Sequence, residues 1–234
     1  MAYRVALVAA LATVVGGIVF LLLSTPQAGT AGIDAIRFDT TGWNQIDISL
    51  FSKMWKNAAG DVLELKWVPE FAGVGVGDDV ASLRDQSRRL ASSKGGSLVY
   101  ADAVAVADRK ASALIYKRDQ VPAYQYIGML LVRNDADRFV FSMNSTESGT
   151  TGVRDALVAA RLVEQGKLDP RLVDSNRKVK GWFVDPYDAA LSGATVTSVA
   201  DAEEYDALTP SHPLSRLRAA LRSFQRTIAF PVSR

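Results

Sequence analysis

The chain has no cysteine and only one histidine among its 234 residues. Without cysteine there is no disulfide, no thiolate nucleophile and no cysteine-held zinc or iron–sulfur centre. The acylated cysteine that anchors bacterial lipoproteins is missing as well. A single histidine, His212, rules out a histidine-rich transition-metal site and leaves one imidazole for proton transfer. There is no Gly-x-Ser-x-Gly elbow, no internal repeat and no low-complexity tract. An excess of one charge is also lacking. Arg4 is the only charged side chain in the first 32 residues, so the remainder holds 26 Lys and Arg against 25 Asp and Glu. A domain so near neutrality has no basic field to attract a phosphate backbone, and nucleic acid is not an expected partner.

Long hydrophobic runs are absent too, with one exception. Val5 to Leu23 carries no charge over 19 residues. As a helix it would be about 28 Å long, close to the ~30 Å hydrocarbon thickness of a bilayer. It exceeds the usual apolar core of a cleaved signal, so the expectation is an uncleaved anchor over residues 1–32, followed by an α+β domain over 33–234. The competing reading is cleavage at Gly29-Thr30-Ala31, beyond the helix-ending Pro26. Arg4 precedes the run, which by the positive-inside tendency leaves the N-terminus in the cytoplasm and the domain extracytoplasmic, at an inner or plasma membrane. Ala9, Thr13 and Gly17 share one face of this segment and would let two copies approach as a homodimer.

In the domain, Ile46, Ile48 and Leu50, then Leu63, Leu65 and Trp67, alternate with polar residues as the two strands of a hairpin. Val80, Leu83, Leu90 and Ala91 recur at helical spacing up to Gly95-Gly96. Four strand-like runs follow, Leu98 to Ala107, Ala111 to Arg118, Tyr124 to Arg133 and Arg138 to Ser145, separated by short turn-rich breaks as in an antiparallel meander. Phe139, Phe141 and Met143 are expected in the core. A second helix should bury Val153, Ala156, Leu157 and Ala160 and stop at Gly166, with a short strand near Val179 to Val184. A last helix, begun by Pro213, presents Leu214, Leu217, Leu221, Phe224 and Ile228. The result is an α+β class with helices packed on an antiparallel sheet.

Four stretches carry a resemblance: Gly60-Asp61-Val62-Leu63-Glu64-Leu65, Glu147 to Ala156, Asp185-Pro186-Tyr187-Asp188, and His212 to Arg218. Together they resemble a family of bacterial membrane-anchored or secreted proteins to which no catalytic residue is assigned. The element order is similar to the PsbP/Mog1-type sandwich, whose members are mostly binding or assembly accessories. The resemblance implies a binding role and transfers no site residue.

The candidate ligand site is the loop Glu147, Ser148, Gly149, Thr150, Thr151, Gly152 and Arg154, where a helix start offers free N–H groups to a carboxylate or phosphate. Helix capping is the plainer role for the same residues. Arg218, Arg222 and Arg226 form a basic stripe able to face lipid headgroups or an acidic partner, or simply solvent. His212 as general base would need Ser145, Ser148 or Ser211 and a carboxylate such as Asp185 or Asp206 nearby; its position beside Pro213 points instead to helix entry. The carboxylates Asp185, Asp188, Glu203, Glu204 and Asp206 do not match an EF-hand, and no metal is expected. Gly73 to Gly77 lacks dinucleotide spacing and adjoins Asp78-Asp79. No catalytic residue and no cofactor is expected. The leading expectation is a non-enzymatic, membrane-anchored binding or assembly-accessory domain with a protein partner. A hydrolase using His212 and a small-anion sensor at Gly149 to Arg154 are the alternatives.

Overall fold

Strands that alternate apolar and polar residues pair, and those buried on both faces run longest. In a computed structural model describing residues 32–71, 74–77, 79–120, 123–134, 137–175, 178–191 and 196–231, seven strands make one antiparallel sheet. They are β1 (Trp43–Ile48), β2 (Ser52–Asn57), β3 (Val62–Val68), β4 (Gly96–Val106), β5 (Arg109–Gln120), β6 (Ala123–Asn134) and β7 (Asp137–Thr146). Their spatial order is β1-β2-β3-β7-β6-β5-β4. A first meander ends at β3, α1 (Val80–Ser93) carries the chain to the far edge, and a second meander returns so that Leu65 of β3 faces Phe141 of β7.

Among the described residues two further α-helices are α2 (Val153–Glu164) and α3 (Pro213–Thr227). On one face of the sheet, Leu214, Leu217, Leu221 and Phe224 of α3 join Leu130, Phe139, Phe141 and Met143 in a single core. On the other, Leu83 and Ala91 of α1 join Leu98, Leu114 and Leu131. The architecture is a mixed α+β fold built on a large antiparallel sheet with helices on both faces. Gly128 sits where α3 closes on β6, and a Cβ there would lie 2.5 Å from a Leu217 methyl and 2.7 Å from one of Leu221.

Two expectations change. The first hairpin is a three-stranded meander, because β2 lies between the two expected strands. Lys53, Lys56 and Asn57 interrupt its alternation, and Trp55 is its one buried residue. Ile46, Ile48 and Leu50 are exposed on the edge strand and the hairpin tip, with Leu50 at 84%. In α2, Val153, Ala156, Leu157 and Ala160 point to solvent, and the helix instead buries Arg154, Val158 and Leu162. The inward side is the one that meets the carbonyls of Ala200 and Ala202 and the carboxylate of Asp206.

The sheet has two ends. At one lie the β1–β2 tip, the start of β5, the end of β6 and the last turn of α3. The first described residues sit there too, with Asp34 paired to Lys53 at 2.8 Å. At the other lie the 147–152 loop, α2 and the start of α3. Among the described residues no helix is long and apolar enough to cross a membrane. The anchor, its orientation and the Ala9-Thr13-Gly17 face fall on residues 1–31, outside those described.

Candidate functional site

A guanidinium needs five acceptors to be buried without cost, and Arg154 finds all five. At 1% exposure it donates from Nε to Ala200 O at 2.6 Å and from Nη1 to Thr209 Oγ1 and Ser215 Oγ. Its Nη2 donates to Ala202 O and to Asp206 Oδ1 at 2.9 Å. The turns over residues 199–208 supply the carbonyls, since short 3-10 segments leave them free. Asp206 Oδ1 also accepts from Arg218 Nη1 at 2.8 Å and from Ser215 Oγ. Arg218, 6% exposed, donates from its other nitrogen to Asp201 O. Burial, only partly opposed by Asp206, lowers its pKa from the ordinary arginine value.

A second half of the same network faces the sheet. Lys117 Nζ lies 3.1 Å from Asp201 Oδ2 and 3.9 Å above the Tyr124 ring. Asp201 also accepts from Thr197 and from the Tyr126 hydroxyl. Burial pushes the Asp201 carboxyl up, but the charge of Lys117 and the bonds from Thr197 and Lys117 outweigh it, leaving its pKa below the ordinary aspartate value. For Tyr126, burial and then the charge of Asp201 raise the hydroxyl pKa well above its usual value.

His212 closes the network against the loop. Its Nδ1 accepts from the N–H of Leu214 at 3.2 Å, so the ring proton is on Nε2, which donates to Glu147 Oε1 at 3.0 Å. Both nitrogens are thereby engaged in capping α3 and holding Glu147. Of the serines named beside it, Ser145 donates to Asp61 and accepts from Arg216. Asp185 is clamped on α1 by a two-point bond from Arg88, with both contacts at 2.8 Å. Among the described residues no serine hydroxyl is hydrogen-bonded to the imidazole, whose partners are Glu147 and the Leu214 N–H.

Three of the four motif stretches meet through these contacts, and the third packs on α1 and β4. Asp61 of the first receives Arg216 of the fourth at 2.7 and 3.0 Å, and burial of its carboxyl is outweighed by the bonds from Arg216, Ser145 and Asn57, which lower its pKa. Glu147 of the second binds His212 of the fourth, and Arg154 of the second binds its Ser215. The third, through Tyr187, accepts the edge-strand N–H of Ala101 at 2.7 Å, while Arg84 stacks on its ring and donates to Ala101 O. That blunts the free edge of β4. The motif charges named here are spent on folding contacts. Sequence reasoning missed Lys117, Asp201 and Asp61. The available signal was a lysine closing the apolar run Leu114-Ile115-Tyr116.

The expected loop is split. Ser148, Gly149, Thr150 and Thr151 form an exposed turn, with Gly149 and Gly152 both at φ 79°. Glu147 and Arg154 hold it from beneath. Gly152 caps α2 with no side-chain bond, so the expected serine or threonine cap is not formed. The basic stripe is split as well: Arg218 is internal, Arg222 pairs with Glu203, and Arg226 is exposed. Beside the turn lies the solvent-facing apolar row of α2, with Leu157 at 48% exposure. Among the described residues no group of three or more histidine, aspartate and glutamate side chains is placed to hold a metal ion.

No family model and no curated protein matches the chain. Among solved structures it is similar to the Ran-binding protein Mog1p of Saccharomyces cerevisiae, at 10% identity over 84% of this chain and 90% of that one, with a TM-score of 0.40. It is also similar to the cyanobacterial PsbP of Synechocystis, at 16% identity over 61% of this chain and 96% of that one, with a TM-score of 0.31. These likenesses concern the arrangement of strands and helices and bring no site residue with them.

Proposed function

We propose that the chain is a non-enzymatic, membrane-anchored extracytoplasmic domain that binds a protein partner and serves as a binding or assembly accessory. The observation that carries the reading is the apolar row Val153, Ala156, Leu157 and Ala160, solvent-facing on a helix whose other side is fixed by Arg154. Helix faces of this kind fit grooves or helices of other proteins. The turn Ser148 to Thr151 borders the row and supplies a polar rim. The anchor is supported by the charge-free run Val5 to Leu23. A photoreactive residue at position 157 of the full chain, activated in native membranes, should give one discrete adduct. Ala160→Glu should abolish it, and mass spectrometry identifies the partner. Absence of any adduct at 157 overturns the reading.

A further inference from the structure

The end of the sheet nearest the tether carries features that the partner-binding reading does not use. Ile48 and Leu50 project from the β1–β2 hairpin, exposed at 58% and 84%, and Phe51 packs against Trp67 with ring centres 5.7 Å apart. Across the same end, Val76, Arg109, Lys110 and Arg133 line a cleft of about 310 Å³. Arg133 stands directly opposite Arg138 in the β6–β7 ladder, a like-charge pairing that costs stability unless an anion offsets it. Arg138 donates to Pro69 O, and Arg109 to Ala107 O and Asn134 Oδ1, so these two guanidinium groups are held in place. Arg226 is exposed in the last turn of α3 at this end. Asp34, Asp47, Glu70 and Asp108 are exposed here too, Asp137 is buried beside Trp67, and Lys110 is already engaged in a contact, so attraction for anions is confined to the cleft and its two arginines.

The chain's own connectivity says what lies opposite. Residues 24–32 separate the apolar run from the first buried residue, Ile33, and nine residues reach at most about 30 Å. Asp34 is tied to Lys53, which pairs with Ile48 next to the hairpin tip, so the tether leaves the domain near Leu50. The far end of the sheet is about 40 Å away along β5, beyond the linker's reach. Resting on the anchored reading above, we propose that this end of the domain sits on the lipid surface. Leu50 and Ile48 enter the headgroup boundary, and the cleft of Arg109, Lys110 and Arg133 takes the phosphate of an anionic lipid. The 147–152 loop and α2 are then directed away from the bilayer.

Because the chain has no cysteine, single labels report on position directly. The full chain carrying L50C or S148C is labelled with an environment-sensitive fluorophore and reconstituted in phosphatidylcholine vesicles containing headgroup-level quencher lipid, with and without phosphatidylglycerol. The label at 50 should lose roughly half or more of its emission to the quencher, as expected for shallow interfacial insertion. Phosphatidylglycerol should deepen that quenching, K110Q with R133Q should remove the added effect, and the label at 148 should stay unquenched. If the protein floats with the vesicles while the label at 50 remains unquenched, the docking is overturned and the anchor stands. If the protein does not float with vesicles at all, the anchored reading falls and this one with it.

Discussion

α2 and α3 are written in nearly the same pattern, an apolar stripe at three-and-four spacing with arginines set among it, yet they bury different parts of it. α3 puts its leucines and Phe224 against the sheet and closes to the backbone at Gly128. α2 turns its stripe outward and buries Arg154, whose five donors meet the turns over 199–208, Thr209 and Ser215. An amphipathic period therefore tells which residues share a face but not which face goes in. For α3 the neighbour is a flat apolar sheet; for α2 it is a row of free carbonyls and a carboxylate, which only a polar side chain can satisfy.

The sharpest way to break this contrast is at Arg154. Arg154→Met leaves the Ala200 and Ala202 carbonyls without their donor and takes from Asp206 one of its two arginines, and should cost about 3–5 kcal/mol, read from urea unfolding. Acid attacks the same network. Asp201 and Asp61 have folded pKa values below their unfolded ones, so their contribution is full above the unfolded carboxylate pKa of about 4 and is lost as pH falls through the folded values. The urea midpoint should drop on that limb, and Asp201→Asn should flatten the drop. An acid limb unchanged by that substitution breaks the assignment.

A paired truncation compares the helices directly. Leu221→Ala on α3 should cost about 2–5 kcal/mol, whereas Leu157→Ala on α2 should stay within about 0.5 kcal/mol in the isolated protein. Equal costs would mean the α2 row is core after all. Filling the close approach with Gly128→Ala should cost about 1–3 kcal/mol, because the Leu217 and Leu221 methyls must move aside.

What could be read beforehand follows the same physics. β4 to β7 and the inward face of α3 were legible because long buried strands and a leucine stripe leave a periodic trace. β2 was hidden because lysines and asparagine interrupt its alternation. The network under α3 was illegible because its partners are joined only by the fold: Asp61 and Arg216 stand 155 positions apart. The loop 147–152 was seen as a site, but the inward turn of Arg154 depends on acceptors about 50 residues further on, at Ala200 and Asp206.

The finest test lies within α3, where Arg218, Arg222 and Arg226 share a spacing and differ in what surrounds them. Arg218 is buried against Asp206 and the Asp201 carbonyl, so removing it leaves that carbonyl without this donor and Asp206 with Arg154 as its remaining arginine. Among the described residues Arg222 reaches Glu203, and with side chains 44% and 63% exposed the pair is screened by water and salt. Arg222→Gln should therefore change stability by about 0.2–1 kcal/mol at low salt, and that small effect should vanish as salt is raised. Arg218→Gln should cost more and keep most of its cost in salt, since its contact is far less exposed, with side chains 6% and 16% accessible. If both variants lose their effect in salt alike, the interior placement of Arg218 is wrong and the three arginines form one solvated stripe.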